Sequence, residues 1–215
     1  MSPIERLARD AATLGVQLTA EDATRLMRLL GELARWNRSY NLTAITAPGE
    51  MVTHHLLDSL AIQADLAGAR IADVGTGAGF PGLPLALVNP TRQFTLIDSS
   101  GKKIRFVAHA ARTLGLTNVT ALHLRAETFR PAVPFDTVIA RAFAPLPLLL
   151  ERAGHLCARG GRVLAMKGRW PERELEHLPA PWTVERSRTL TIPGLDEARC
   201  VLVLTAGAAA APSSP

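Results

Sequence analysis

Three glycines follow a short apolar stretch that carries one acid. Residues 71–74 read Ile-Ala-Asp-Val, and Gly75, Gly77 and Gly79 come directly after them. Glycine has no Cβ, so its backbone can adopt positive φ and approach a ligand closely. The pattern predicts a strand that carries Asp73, then a ligand-binding loop, then a short apolar helix.

The spacing of the glycines separates three classes of ligand. A phosphate-binding P-loop needs Lys directly after its last glycine, but Gly82 is followed by Leu83. A dinucleotide fingerprint needs a third glycine where Phe80 stands, so an NAD or FAD site is disfavoured. The remaining pattern, acid-Val-Gly-x-Gly-x-Gly, is typical of S-adenosylmethionine sites in methyltransferases. Pro81 and Pro84 favour a helix start whose unpaired N–H groups would suit an anion.

A second acid ends the next predicted strand, residues 94–98. Asp98 lies 25 residues after Asp73, a separation that fits a βαβ unit. In doubly wound sheets an acid at this position accepts hydrogen bonds from ribose hydroxyls, because an ionised carboxylate is only an acceptor. We therefore predict that Asp98 binds ribose. The alternative is that it caps the helix that begins near residues 99–102.

Polar residues also follow the later strands. Residues 125–127, Arg-Ala-Glu, come after the third strand, where a loop would border the adenine end of a ligand. Arg141 ends the fourth strand, and a guanidinium in apolar surroundings needs a partner or a polar ligand. A purely structural pair with Asp73 or Glu127 is the alternative. Lys167 ends the fifth strand.

The elements that must carry these residues alternate as strand and helix. Five strands with α/β spacing and two final strands are predicted at residues 71–74, 94–98, 119–122, 135–140, 162–166, 182–190 and 200–205. This order predicts an α/β protein with a mostly parallel seven-stranded sheet and helices on both faces, the Rossmann-like methyltransferase fold. Residues 159–161, Arg-Gly-Gly, predict a turn before the fifth strand.

A small helical extension precedes the sheet. Residues 3–14 predict a helix, and Thr19 predicts the cap of a second helix with an apolar stripe. The opposite face of that second helix carries arginines that would contact phosphates or simply be solvated: Arg25, Arg28, Arg35 and Arg38. We predict an extension over residues 1–66, a methyltransferase domain over 67–206 and a disordered tail over 207–215.

A connector at residues 36–43 leads to a third predicted helix, residues 50–66. That helix contains His54 and His55. Adjacent positions point around a helix, so this pair cannot present two metal ligands on one face. We expect the two histidines to pack the extension against the sheet or to face solvent.

The composition indicates a basic protein that is not held together by disulfide bonds. The 215 residues include 24 basic and 19 acidic side chains, and the formal net charge of +5 favours a polyanionic partner. Cys157 and Cys200 lack disulfide or zinc spacing, which points to reducing cytosol. No apolar run approaches the length of a membrane span, and charges interrupt residues 1–30 where a signal peptide would be apolar.

Seven separated motifs occur in one order along the chain. They are Trp36-Asn37 with Tyr40-Asn41-Leu42-Thr43, His55-Leu56-Leu57-Asp58-Ser59, residues 73–82, Asp98-Ser99, Lys102-Lys103, Arg141-Ala142-Phe143-Ala144 and Met166-Lys167-Gly168. Together they resemble the bacterial ribosomal RNA small subunit methyltransferase G family, formerly called glucose-inhibited division protein B. The resemblance implies transfer of a methyl group from S-adenosylmethionine to N7 of a guanine, position 527 in the 530 loop of 16S rRNA.

The resemblance also implies where the cofactor binds. The family's contacts fall at Gly75, Phe80, Ala126, Glu127 and Arg141, with Asp98 and Ser99 close by. To these the loop pattern adds Gly77 and Asp73, whose carboxylate would help bind the amino group of the cofactor. S-adenosylhomocysteine is the expected product, and no metal is expected.

The chemistry implied by the resemblance needs no general base. The N7 lone pair of guanine lies in the ring plane and is already available, and the chain lacks the Asn-Pro-Pro-Tyr and Pro-Cys motifs of other nucleic-acid methyltransferases. Arg141 and Lys167 are the predicted catalytic pair, because they would position the guanine or its phosphates. The expected partner is 16S rRNA, free or within the 30S subunit, and a cytoplasmic monomer without membrane contact is expected. A small-molecule methyltransferase and a non-catalytic RNA-binding protein are the alternatives.

Overall fold

Seven strands form one sheet in the computed structural model, which describes residues 1–207. They are β1 (Arg70–Val74), β2 (Gln93–Asp98), β3 (Val119–His123), β4 (Phe135–Arg141), β5 (Cys157–Lys167), β6 (Trp182–Thr189) and β7 (Cys200–Ala206). Their spatial order is β3-β2-β1-β4-β5-β7-β6, with the first five strands parallel and β7 antiparallel to both of its neighbours. The predicted sheet is confirmed.

Helices cover both faces of the sheet. In chain order they are α1 (Pro3–Thr13), α2 (Ala20–Tyr40), α3 (Pro48–Met51), α4 (Asp58–Leu60), α5 (Gly82–Val88), α6 (Gly101–Thr113), α7 (Leu146–Ala153) and α8 (Glu172–Leu175). Alternate strand residues face opposite sides of a sheet. Accordingly, Ile71 packs in one core cluster with α1, α2, α5 and α6, whereas Ala72 packs in a second cluster with α7.

The strand order reverses beside β1. The chain moves outward from β1 through β2 to β3, then returns to place β4 on the other side of β1. In open α/β sheets such a reversal leaves a crevice at the carboxyl ends of the two strands, because the following loops diverge to opposite sides. The loop after β1 and the end of β4 therefore share one crevice.

The N-terminal segment, residues 1–66, departs from the predicted elements in two places. Residues 36–40, predicted as a connector, are the last turn of α2, because the Trp36 ring packs on Phe106 and His109 and Asn41 ends the helix with φ of 48°. The predicted helix over residues 50–66 is divided into α3, a π-helical segment over Val52–Leu57, α4 and a 3₁₀ turn. A π turn inserts one extra residue, and here the Asp58 N–H donates to the carbonyl of Thr53.

The predicted turn at residues 159–161 is wrong. These residues belong to β5, which begins at Cys157. Gly160 has φ of +76°, and the pairing of β4 with β5 shifts register between Phe135 and Thr137. The glycines therefore form an irregularity within a strand instead of a break before it.

Two further expectations concern the ends of the predicted units. Side chains of α1 and α2 share a core cluster with the sheet, and the boundary at residue 66 stays a prediction. Nearly all of the predicted disordered tail lies outside the described residues.

Among residues 1–207, no helix combines the length and the apolar character needed to cross a bilayer.

The capping box of α2 provides a test of this fold. The Thr19 hydroxyl accepts a hydrogen bond from the Asp22 N–H at 3.0 Å, and Asp22 Oδ2 accepts from the Thr19 N–H at 3.1 Å. We expect Thr19→Ala to lower the free energy of unfolding by about 1 kcal/mol, measured by urea denaturation, because a helix-terminal N–H loses its acceptor. Thr24→Ala, on the exposed side of the same helix, should change it by less than about 0.5 kcal/mol. Equal losses would contradict the cap.

Candidate methyl-transfer site

The loop after β1 has the backbone that its glycines predict. Gly75, Gly77 and Gly79 have φ values of +66°, +61° and +88°. A Cβ on Gly75 would lie 2.4 Å from Cδ2 of Phe143, so the close approach of these two loops requires glycine. A Cβ on Gly77 would meet no atom within 4 Å and would project into open space beside the loop. The loop therefore leaves room for a ligand at Gly77.

Asp73 holds the loop closed from inside. The residue is fully buried, and its Oδ2 accepts hydrogen bonds from Thr76 Oγ1 at 2.6 Å and from the Gly82 N–H at 2.8 Å. Burial raises the pKa of Asp73 to about 6, although both hydrogen bonds and the charge of Arg141 oppose the shift. At the start of α5 the Gly82 N–H donates to the Asp73 carboxylate and the Leu83 N–H donates to the carbonyl of Gly79, so the protein itself occupies the N–H groups that were predicted to suit an anion. Contact of Asp73 with the amino group of a cofactor stays a prediction.

Asp98 lies at the end of β2, the position from which it was predicted to bind ribose. It also caps the start of α6, which was the alternative role. Its Oδ2 accepts from the Gly77 N–H at 2.9 Å, and its Oδ1 accepts from the Ser100 N–H at 2.8 Å. A carboxylate has about four acceptor positions, so two hydrogen bonds leave capacity for hydroxyl groups. Asp98 thus fixes the loop and the start of α6 while its remaining lone pairs stay available to a ligand.

Two adjoining cavities open along the carboxyl edge of the sheet. The β4 cavity has a volume of about 530 Å³, and its walls include Thr43, His54, His55, Asp58, Gly75, Gly77, Phe80, Lys103, Arg141, Lys167 and Arg199. The β2 cavity has a volume of about 260 Å³, and its walls include Gly75, Asp98, Ser99, Lys103, Ala126, Glu127, Ala142 and Phe143. Gly75, Lys103 and Ala142 line both, so the cavities meet at the glycine loop. All of the predicted site residues except Asp73 line one of the two.

A third cavity, of about 560 Å³, is larger than either of these. It lies between α1, α2 and α3, and its walls are mainly apolar side chains such as Leu7, Met27 and Leu57. Of its lining residues only His54 also lines the β4 cavity. Because the third cavity contains no part of the glycine loop and neither of the strand-end carboxylates Asp73 and Asp98, we do not assign the chemistry to it.

Arg141 has a different partner from the two that the sequence suggested. Its Nη1 donates to Asp58 Oδ2 at 2.8 Å and to the carbonyl of His54 at 2.9 Å. The predicted structural pair with Asp73 or Glu127 does not form. The guanidinium carbon lies 6.0 Å from the centre of the Phe80 ring, at the limit of a cation–π contact.

Lys167 lines the β4 cavity but is already paired. Its ammonium donates to Glu174 Oε2 at 2.7 Å and to the carbonyl of Ala144 at 3.1 Å. The same Glu174 oxygen accepts from the N–H of Leu146 at 2.6 Å. Lys167 therefore links the end of β5 to α7 and α8, and contact with a substrate stays a prediction.

Three residues of the site had no role assigned to them from the sequence. Lys103 belongs to the Lys102-Lys103 motif that follows Asp98, and it lines both cavities. Asp58 and Arg199 gave no signal of their own as site residues, because Asp58 is 83 residues from its partner Arg141 and Arg199 precedes a strand instead of following one. Only the fold brings these groups together.

His55 packs the N-terminal segment against the glycine loop, as expected. Its ring stacks on Phe80 with centroids 4.7 Å apart, and its Nε2 lies 3.2 Å from Thr43 Oγ1. Burial, together with the nearby charges of Arg141 and His54, lowers the pKa of His55 to about 4. His55 is therefore a neutral contact at physiological pH.

A pair of glycine variants tests the loop. Gly77 and Gly160 both have positive φ, and a Cβ on either would meet no other atom within 4 Å, but of the two only Gly77 lines the β4 cavity. We expect each Ala variant to lose about 1 kcal/mol of stability from left-handed backbone strain. Calorimetry with S-adenosylhomocysteine should show affinity reduced by about tenfold or more for Gly77→Ala alone, since its Cβ occupies ligand space. Equal affinity in both variants would contradict the assignment.

His55→Gln tests the buried imidazole. The unfolded chain binds a proton at His55 below about pH 6.5, whereas the folded chain resists protonation down to about pH 4. The stability of the wild type should therefore fall relative to His55→Gln as the pH falls from 7 to 5, by about 1–2 kcal/mol, because the unfolded state binds more protons. Asp73 titrates in both proteins, so its effect cancels. A pH-independent difference would refute the prediction.

Comparison with known proteins agrees with this geometry. A family model described as rRNA small subunit methyltransferase G matches residues 22–203. Relatives named Ribosomal RNA small subunit methyltransferase G include one from Nitrosospira multiformis, 44% identical over 95% of this chain and 98% of its own length. Another, from Shewanella amazonensis, is 42% identical over 93% of this chain and 97% of its own.

Solved structures show the same fold at lower identity. A SAM dependent methyltransferase from Aquifex aeolicus has a TM-score of 0.51 at 20% identity, over 69% of this chain and 90% of its own. TrmN from Thermus thermophilus has a TM-score of 0.55 at 23% identity, over 72% of this chain and 53% of its own. These likenesses confirm the Rossmann-like methyltransferase fold, and the match over residues 22–203 identifies the family. The chain belongs to the rRNA small subunit methyltransferase G family.

Proposed function

We propose that this protein transfers a methyl group from S-adenosylmethionine to N7 of a guanine in 16S rRNA, at position 527 of the 530 loop. The observation that carries the proposal is the glycine loop, which Asp73 and Asp98 fix between two cavities. The β2 cavity offers the carboxylates of Asp98 and Glu127 beside basic side chains, and the charged side chains of the β4 cavity are mostly basic. The names of the relatives support an rRNA substrate.

The residues present fit the cofactor. Open space at Gly77 admits a ligand against the loop, and Asp98 retains lone pairs for ribose hydroxyls. In this arrangement Ser99, Ala126 and Glu127 would hold the adenine end, while Gly75 and Phe80 would contact the amino-acid end. When bound, S-adenosylmethionine supplies a methyl group activated by its sulfonium. The protein contributes the alignment of that end with the β4 cavity.

The ionisable groups of the β4 cavity suit a methyl acceptor that does not have to lose a proton before it reacts. His55, with a pKa of about 4, is a weak base, and the Asp58 carboxylate is paired with arginines. The remaining charged groups are cations, among them Lys103 and Arg141. Guanine N7 needs no deprotonation, and guanidinium groups suit its O6 and phosphates. The cavity can therefore act by positioning, without a general base.

The surface leaves part of the predicted arginine stripe available for RNA. Arg25 donates to the carbonyl of Leu114 at 2.6 Å, and Arg35 pairs with Glu32 at 2.5 Å. Arg28 and Arg38 are exposed on α2. Their charges and the net charge of +5 support binding to a phosphate backbone. We propose that the substrate is 16S rRNA within the 30S subunit and that the enzyme is a cytoplasmic monomer.

The proposal is tested with 30S subunits that lack the modification. Purified protein and methyl-labelled cofactor should label N7 of guanine 527, located by mapping the labelled base. Label at another base would contradict the target. Label on metabolites alone would indicate a small-molecule methyltransferase, and salt-dependent rRNA binding without cofactor binding would indicate a non-catalytic RNA-binding protein.

Lys167→Ala should lower kcat/KM for the 30S subunit by about tenfold or more, because a cation beside the acceptor is lost. Affinity for S-adenosylhomocysteine should stay within about threefold of wild type. Glu174→Gln is the matched control, since it keeps the side-chain shape and removes the negative charge that pairs with the Lys167 ammonium. Equal losses in both variants would show that Lys167 acts only by holding Glu174.

A further inference from the structure

Asp58 is a buried carboxylate between two arginines of the β4 cavity. It is the first residue of α4, directly after the π-helical segment, and its exposure is 3%. Its Oδ2 accepts from Arg141 Nη1 at 2.8 Å, and its Oδ1 forms an ion pair with Arg199 Nε at 3.5 Å. Arg141 ends β4 and Arg199 precedes β7. Asp58, in the N-terminal segment, thus forms ion pairs with two arginines that lie at the ends of different strands.

This contact fixes the direction of the Arg141 guanidinium. Both hydrogen bonds that Arg141 makes, to Asp58 and to the His54 carbonyl, use Nη1. Among the described residues, its Nη2 and Nε groups donate to no acceptor, and the side chain lines the β4 cavity near the Phe80 ring. A guanidinium is planar, so two acceptors on Nη1 together set the plane of the whole group. Without the carboxylate, the bond to the His54 carbonyl alone would leave the group free to turn about Nη1.

We propose that Asp58 is a positioning residue for methyl transfer, which acts by holding Arg141 in its cavity-facing orientation. The N-terminal segment would then complete the site instead of only covering it. This inference rests on the proposed function, in which Arg141 contacts the cofactor or the guanine.

The chain contains a matched control for this role. Asp65 is also a buried acid of the N-terminal segment, with an exposure of 2%. Its two oxygens pair with Arg186 at 3.0 Å and with Arg188 at 2.7 Å, on the edge strand β6. None of these three residues lines the β4 or β2 cavity. Asp65→Asn therefore removes an equivalent charge pair without touching the site.

The test compares Asp58→Asn with Asp65→Asn at saturating S-adenosylmethionine. Both variants should lose thermal stability, because each leaves two arginines beside an uncharged amide. Only Asp58→Asn should lower kcat for methyl transfer to 30S subunits, by about tenfold or more, at a temperature where both variants are folded. A kcat within about twofold of wild type in Asp58→Asn, or equal losses in both variants, would overturn the proposal.

A double-mutant cycle separates positioning from general structural support. If Asp58 acts through Arg141, adding Asp58→Asn to Arg141→Ala should change kcat by less than about twofold, because the group that it positions is gone. Additive losses would overturn the proposal. Wild-type protein that fails to methylate 30S subunits would instead defeat the proposed function.

A readout without RNA then decides the role of Asp58. In ¹⁵N-labelled protein, the side-chain Nε–H signal of Arg141 should broaden or move to the position of a solvated arginine in Asp58→Asn. It should stay unchanged in Asp65→Asn. An unchanged Arg141 signal in Asp58→Asn would overturn the positioning role whether or not the RNA is methylated.

Discussion

The buried carboxylate of Asp73 is the constraint on which the rest of the site depends. Its burial is unfavourable, as the raised pKa of about 6 shows, and two short hydrogen bonds offset part of that cost. Those bonds fold the loop back on itself and place the start of α5 directly over the acid. A Cβ on Gly82 would lie 2.7 Å from Asp73 Oδ2, so the contact also requires glycine there. These hydrogen bonds form within the protein itself, and such preorganisation lowers the entropy lost on binding.

The second constraint is electrostatic and joins the N-terminal segment to the sheet. Asp58 and Asp65 are buried acids of that segment, and each is held by two arginines from strands or strand ends. Removing the arginines would leave a buried carboxylate without a compensating charge, so these contacts stabilise the packing of the segment on the sheet. His55 adds a neutral ring against Phe80 at the same place. The β4 cavity is therefore built jointly by the segment and the sheet.

The sequence predicted more of the fold and of the residues around the glycine loop than of the β4 cavity, where the methyl acceptor is proposed to bind. Strand positions followed from apolar runs, and the position of Asp98 at a strand end beside a cavity followed from the geometry of parallel sheets, because both signals are local. The pairing of Arg141 with Asp58 depends on groups 83 residues apart, which no spacing rule relates. Local rules also failed where tertiary packing prevailed, as in residues 36–40, whose aromatic and amide composition suggested a connector but whose packing on α6 extends α2.

The central claim is that one cofactor lies across the glycine loop, between the two cavities. A crystal structure of the protein with S-adenosylhomocysteine tests this claim most directly. We predict ribose hydroxyls within hydrogen-bond distance of the Asp98 carboxylate, adenine beside Ala126, and the sulfur facing the cavity lined by Arg141 and Lys167. Ligand found instead in the apolar cavity between α1, α2 and α3, with the glycine loop empty, would contradict the account.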